Sequence, residues 1–219
     1  MDNSKILIYD GSFNGFLTAV HTAFKNNYDI LGFQKETYKQ KGLFADVETI
    51  VTDLSKAKSV WESIETKNHN GIRNIYFAYL SEMDGVDFML YQFIRKIYGR
   101  CKEGQVEQIV QIETKISKLA LSVRREKSHV ETMVDFKRTN DDIYIVEVEP
   151  SYNILPLISR HFRYRYPKHP WIIFDKKRDY GLLYNGSFIE IISKEIKNMY
   201  LNSSLGFHAY APNSYRQAI

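Results

Sequence analysis

The stretch Trp171–Ile192, WIIFDKKRDYGLLYNGSFIEII, decides the fold class. Two apolar runs, Trp171 to Phe174 and Tyr180 to Tyr184, flank the charged cluster DKKRD (Asp175–Asp179). Asn185-Gly186 then leads into a third run ending at Ile192. Short apolar runs bounded by turn residues read as strands, and Asn-Gly between two of them predicts a type I′ hairpin turn. Three successive antiparallel strands therefore organise the C-terminal part of the chain.

Working outward, Pro150 closes an earlier strand, and Asn153 is placed to cap a helix whose buried stripe is Ile154, Leu155, Ile158 and Phe162. Pro156 fits there because first-turn amides lack a helical acceptor. Upstream, Met133–Arg138 and Ile143–Glu149 read as a hairpin joined by Thr139-Asn140-Asp141-Asp142. Before that, Val106, Ile109, Val110, Ile116, Leu119, Ala120 and Val123 recur at three- and four-residue steps, predicting one long helix to about His129. The C-terminal lobe is thus expected to be a meander of about five antiparallel strands backed by a long helix and a short one.

The N-terminal part starts differently. Lys5–Tyr9 is a short strand, Asp10-Gly11 a turn, and Ser12 an N-cap for a helix carrying Phe13, Phe16, Leu17, Val20 and Phe24 on one face. Asn26–Gly42 has no clean period and reads as loop, Asp46–Thr52 as a strand, and Ser55 opens a helix with Ala57, Val60, Trp61 and Ile64 inward. Two further helices fall within residues 71–99, the second with Phe88, Leu90, Tyr91, Phe93, Ile94 and Ile97 on its apolar side. The fold class is α+β: a β-α-β-α lobe with helices over residues 1–100 and an α+β lobe over 101–219, forming one compact unit.

Charge is unevenly spread. Residues 115–138 carry a net +4 and residues 151–180 a net +5, leaving −5 for the rest of a chain whose total is +4. Such asymmetry points to a polyanionic partner, with a solvated basic rim as the competing explanation. Cys101 is the only cysteine, so an intrachain disulfide, a zinc finger and a CxxC redox pair are excluded. No basic leader precedes an apolar run, and eighteen apolar residues never occur in succession, so a cytoplasmic protein without membrane insertion is expected.

Chemistry-bearing motifs are sparse. The turn at Asp10-Gly11-Ser12 lacks the spacing of a phosphate loop, and the histidines (His21, His69, His129, His161, His169, His208) form no ligand pattern. No metal or cofactor is expected. Arg124, Arg125, Glu126 and His129 close the long helix, where Glu126 and His129 are spaced to meet and cations suit the helix C-terminus. Arg160 and Arg163 clear the apolar stripe of the short helix, while Arg165 alternates with Tyr164 and Tyr166, a pairing that suits phosphate gripping and base stacking. Trp171 and Phe174 are assigned to the core.

Four segments together resemble a known family: IYDGSFNGFLTAVHTAF (Ile8–Phe24), RREKSHVETMVDF (Arg124–Phe136), EPSYNILPLISRHFRYRY (Glu149–Tyr166) and WIIFDKKRDYGLLY (Trp171–Tyr184). They are similar to a bacterial family described as DNA-metabolism or DNA-repair proteins. Its members are encoded beside a radical SAM protein, and the domain also occurs fused to a uracil-DNA glycosylase. Matching positions include Asp10, Gly11 and Phe13; Arg125, Glu126 and His129; Pro150, Leu155 and Pro156; His161, Phe162 and Arg165; and Trp171, Asp175, Arg178, Tyr180 and Gly181. Asn202, Leu205, Pro212 and Tyr215 follow the family's tail pattern, with Gly206 in place of the usual glutamine.

The resemblance implies a nucleic-acid-binding accessory protein acting with a radical SAM partner. Arg124, Arg125, Arg160, Arg163, Arg165 and Arg178 would contact phosphates, with a tyrosine (Tyr164 or Tyr166) or His161 against a base or strand end. Six phosphate contacts correspond to a log–log salt slope of about −5 on duplex DNA. One alternative is an enzyme acting on a nucleic acid or nucleotide, with His129 or His161 as general acid or base and Glu126 or Asp175 orienting it. Another is a docking adaptor without nucleic-acid contact. Whether any reaction is catalysed, and the oligomeric state, are left open by the residues.

Overall fold

The computed structural model describes residues 3–36, 46–101, 104, 106–139 and 142–202. The chain divides into two compact units, Met1–Ser122 and Val123–Ile219. The boundary between them falls inside a helix.

The first unit is built on a parallel sheet of order β2-β1-β3: β1 (Ser4–Tyr9), β2 (Asp29–Lys35) and β3 (Asp46–Thr49). β2 lies in the segment expected to be loop. Its alternation is poor because Asp29, Gly32 and Gln34 interrupt it, and its backbone pairing with β1 outweighs the weak pattern. The helices are α1 (Phe13–Lys25), α2 (Leu54–Lys67), α3 (His69–Tyr79) and α4 (Val86–Ile97). As the sequence predicts, Ser12 caps α1, its Oγ accepting from the Gly15 amide at 2.9 Å. Leu7, Phe16, Ile64, Ile75, Leu90 and Ile94 are fully buried. Each such side chain contributes about 1.5–3 kcal/mol.

The Asp10-Gly11-Ser12 turn is already filled by its own carboxylate. Asp10 Oδ1 accepts from the Ser12 amide (2.9 Å) and hydroxyl (2.7 Å), while Oδ2 accepts from the Thr52 hydroxyl (2.7 Å). A Cβ on Gly15 would stand 2.2 Å from Asp10 Oδ1, so this carboxylate lies against the start of α1, where a phosphate would have to sit. Burial pushes the Asp10 carboxyl up, but the hydrogen bonds from Ser12 and Thr52 outweigh it and hold it below the usual carboxylate value.

The second unit carries the last turns of α5 (Val106–Met133), a five-stranded sheet and two helices. α5 continues one turn beyond the expected end at His129 and takes up Met133, which the sequence placed in a strand. On its own surface Ile109, Ile116, Ala120 and Val123 are buried as expected, whereas Val110 is exposed. The sheet order is β4-β5-β6-β7-β8: β4 (Lys137–Arg138), β5 (Tyr144–Val148), β6 (Trp171–Asp175), β7 (Tyr180–Tyr184) and β8 (Ile189–Ser193). It is mostly antiparallel, with one correction to the expected meander: β5 and β6 pair in parallel. The connection between them carries α6 (Leu155–Arg165), and a helical crossover returns the chain in the same direction.

β6 is central and buried at every position. Ile172 and Phe174 join Ile143, Leu183, Ile192 and Tyr200 in one cluster; Trp171 packs against Phe162 of α6. The assignment of Trp171 and Phe174 to the core therefore holds. α7 (Lys194–Asn202) follows β8, and its buried Lys197 pairs with Glu147 at 2.5 Å and lies 4.2 Å from the Phe174 ring centroid. That ammonium group holds the Glu147 carboxyl below its usual range. The turn after β7 is not type I′, which needs two left-handed central residues. Gly186 alone is left-handed there (φ 92°), and Asn185 Oδ1 instead accepts from the Ser187 and Phe188 amides. Leu205, Gly206, Pro212 and Tyr215 of the tail pattern, and also His208, lie outside the described residues.

Candidate nucleic-acid interface

Within the second unit, α6 and the end of α5 border an open cleft of about 960 Å³, lined by Lys127, Glu131, Arg160, His161, Arg163 and Tyr164 among others. Arg160, Arg163 and Tyr164 are three and four residues apart, so α6 presents them on one face. The opposite face of α6 holds Leu155, Ile158 and Phe162 in the core. Pro156 sits in the first turn without a side-chain cap, and Asn153 serves another purpose, its Oδ1 accepting from the Tyr180 hydroxyl at 2.5 Å. The lining includes three cations, Lys127, Arg160 and Arg163, and one carboxylate, Glu131. Arg160 and Arg163 are exposed, and their side chains make no ion pair or hydrogen bond with another described residue.

Glu131 is the residue that sequence reasoning missed. Lys127 Nζ reaches both of its oxygens at 2.7 Å, and His161 Nδ1 stands 3.7 Å from Oε1. The signal was present as Lys127 and Glu131 at i,i+4, but ending the helix at His129 removed Glu131 from it. His161 is half-buried, and its Nε2 is buried without a hydrogen-bond partner among the described residues. His161 thus turns one nitrogen toward Glu131 and the other into the protein.

Other expected site residues are held elsewhere. Glu126 does not orient His129: its two oxygens accept from the Ser151 (2.7 Å) and Tyr152 (2.8 Å) amides. His129 is exposed and lies outside the cleft lining. Asp175 is fully buried, with Oδ1 accepting from the Lys177 and Arg178 amides and Oδ2 from Arg178 Nη1 at 2.9 Å. The Arg178 guanidinium also donates to the Pro150 carbonyl at 3.2 Å and the Ser151 carbonyl at 3.1 Å, leaving its side chain 10% exposed. Asp175, Arg178 and Glu126 are therefore a clamp on the 150–152 loop, and Arg178 is turned inward, away from any phosphate.

Arg124 and Arg125 are exposed but do not line the cleft. Arg165 reaches back to the Glu131 carbonyl at 3.4 Å, where a cation offsets the negative end of α5. Tyr166 packs its ring on Phe136 (5.2 Å) and is stacked with Phe162. Of the two expected site tyrosines, Tyr164 has no ring contact with another described residue and is 89% exposed.

Among the described residues no group of three or more His, Cys, Asp or Glu is placed to hold a metal, and no helix is long and apolar enough to cross a membrane. The molecule is thus an α+β protein with a basic, aromatic-edged cleft in its second unit. Residues 84–214 match a domain of unknown function, DUF4130, and the chain belongs to that family. No curated protein matches the chain.

Proposed function

We propose that the α5–α6 cleft binds the phosphate backbone of a nucleic acid, and that the protein is a DNA-repair or DNA-modification accessory acting with a radical SAM partner. The observation that carries the binding reading is the pair of guanidinium groups of Arg160 and Arg163, without ion-pair partners among the described residues, one turn apart on α6 and lining an open cleft. Arginine suits this role because its planar fork matches phosphate oxygens. The DNA setting and the radical SAM partner rest on the family resemblance of the four segments above.

Because Lys127 is held by Glu131, two cations among the described residues, Arg160 and Arg163, are left to meet phosphates in the cleft in place of six dispersed arginines, and the expected log–log salt slope on duplex DNA falls from about −5 to about −1.8. Fluorescence anisotropy with labelled oligonucleotides across a salt series measures it. Arg160→Gln with Arg163→Gln should weaken binding and flatten the slope by about two, whereas Glu131→Gln should release Lys127 and steepen it. Undetectable binding at low salt, or a slope indifferent to the paired arginine substitutions, overturns the reading. Co-purification of a radical SAM protein tests the partner separately.

A further inference from the structure

Tyr164 is the one exposed Phe, Tyr or Trp in the segment containing α6, β6 and β7: Phe162, Trp171, Phe174 and Tyr184 are buried, and Tyr166 and Tyr180 are half-buried. The Tyr184 hydroxyl lies within 3.0 Å of the Pro167 carbonyl and 2.8 Å of the Gly186 carbonyl. Tyr164 is 89% exposed, has no ring partner among the described residues, and stands at i+4 from Arg160 and next to Arg163 on the cleft edge. Leaving such a ring in water has no structural benefit, since burying it would stabilise the fold by a few kcal/mol.

From this we infer that Tyr164 is a stacking platform for an unpaired base, so that the cleft takes single-stranded nucleic acid in preference to duplex. The inference rests on the phosphate-binding reading and adds the substrate class to it. In a duplex each base face is covered by its neighbours; a free aromatic face beside two guanidinium groups suits a strand whose bases are already unstacked. The arginines hold the backbone through charge, and the ring holds a base through a contact that salt does not screen.

The test uses the full chain and three labelled probes about twelve nucleotides long: a single DNA strand, the same sequence as RNA, and a DNA duplex. Tyr164→Ala should weaken single-strand binding by about 5- to 150-fold, the range for loss of one stacked base, while leaving the salt slope and duplex affinity unchanged. Tyr164→Phe should retain wild-type affinity because the ring face persists. The DNA and RNA arms identify which sugar is preferred, and the effect of Tyr164→Ala on the tighter of the two decides the inference.

Stacking is overturned if Tyr164→Ala changes single-strand affinity by less than about twofold, or weakens duplex and single strand equally. If that occurs while the paired arginine substitutions still weaken binding, the phosphate-binding reading survives alone. If the wild-type chain binds none of the probes, both fall together.

Discussion

Asp175→Asn separates a structural carboxylate from a catalytic one, because it keeps the shape and removes the charge. Asp175 is fully buried and its Oδ2 lies 2.9 Å from Arg178 Nη1, on a side chain that is itself only 10% exposed. Removing one partner of a buried ion pair leaves the other charge uncompensated, at about 3–5 kcal/mol. The Pro150 and Ser151 carbonyls still solvate the guanidinium, and the amide oxygen of Asn still accepts from the Lys177 and Arg178 backbones. The expectation therefore sits at the lower end, about 3 kcal/mol.

For a unit of roughly a hundred residues, each kcal/mol moves the melting temperature by about 4–8 °C, so the transition of the second unit should fall by at least about 12 °C. Urea denaturation followed by circular dichroism and calorimetry measures both quantities. A double-mutant cycle with Arg178→Met should recover part of the loss, since the orphaned charge is then gone. A stability change within about 0.5 kcal/mol, the range of ordinary surface substitutions, would refute the clamp and return Asp175 to the list of candidate chemical groups.

Two further outcomes follow from the packing. Gly181 pairs directly with Phe174 across β6 and β7, and a Cβ there would lie 2.8 Å from the Phe174 ring and 2.9 Å from the Ile173 carbonyl oxygen. The ring can turn but the carbonyl is held in the sheet, so Gly181→Ala should cost about 1–3 kcal/mol in urea denaturation, and an unchanged midpoint contradicts the close approach. In the first unit, burial pushes the Asp87 carboxyl up, against the opposing pull of Lys35 and a hydrogen bond with Tyr9. A carboxyl raised in the folded state binds its proton more tightly there than when unfolded, so its stability contribution falls as pH rises from the unfolded value through the raised one. The stability of Asp87→Asn relative to wild type should accordingly grow between acid and neutral pH in melting scans, and a pH-independent difference sinks the argument.

The clamp shows why part of the candidate site was legible and part was not. Arg160 and Arg163 could be placed on the outer face of α6 because the apolar stripe of the same helix identifies its inner face. Arg178 and Asp175 carried the same residue chemistry, yet their partners lie on the loop after β5, a neighbour that no local spacing reveals. Glu126 and His129 had the right spacing to meet, but the Ser151 and Tyr152 amides engage both oxygens of Glu126. A short polar loop with unsatisfied amides takes a carboxylate wherever one is offered, because leaving those amides unpaired is expensive.

The sequence by itself determined what depends on neighbours along the chain: the Ser12 cap, the apolar stripes of α1, α2 and α6, the proline in the first turn of α6, and the strand character of Trp171–Phe174. Only the tertiary structure decided what depends on distant partners. β5, α6 and β6 could each be read from residues, but the direction in which β6 pairs comes from the crossover, and so β5 and β6 run parallel. β2 exists because β1 offers it an edge, despite its poor pattern. Glu131 entered the cleft because α5 runs one turn further, placing a carboxylate between Lys127 and His161, thirty residues away along the chain from the latter. Local periodicity carries the shape of each element, whereas long-range pairing selects which charged groups are consumed by the fold and which, like Arg160 and Arg163, remain available to a ligand.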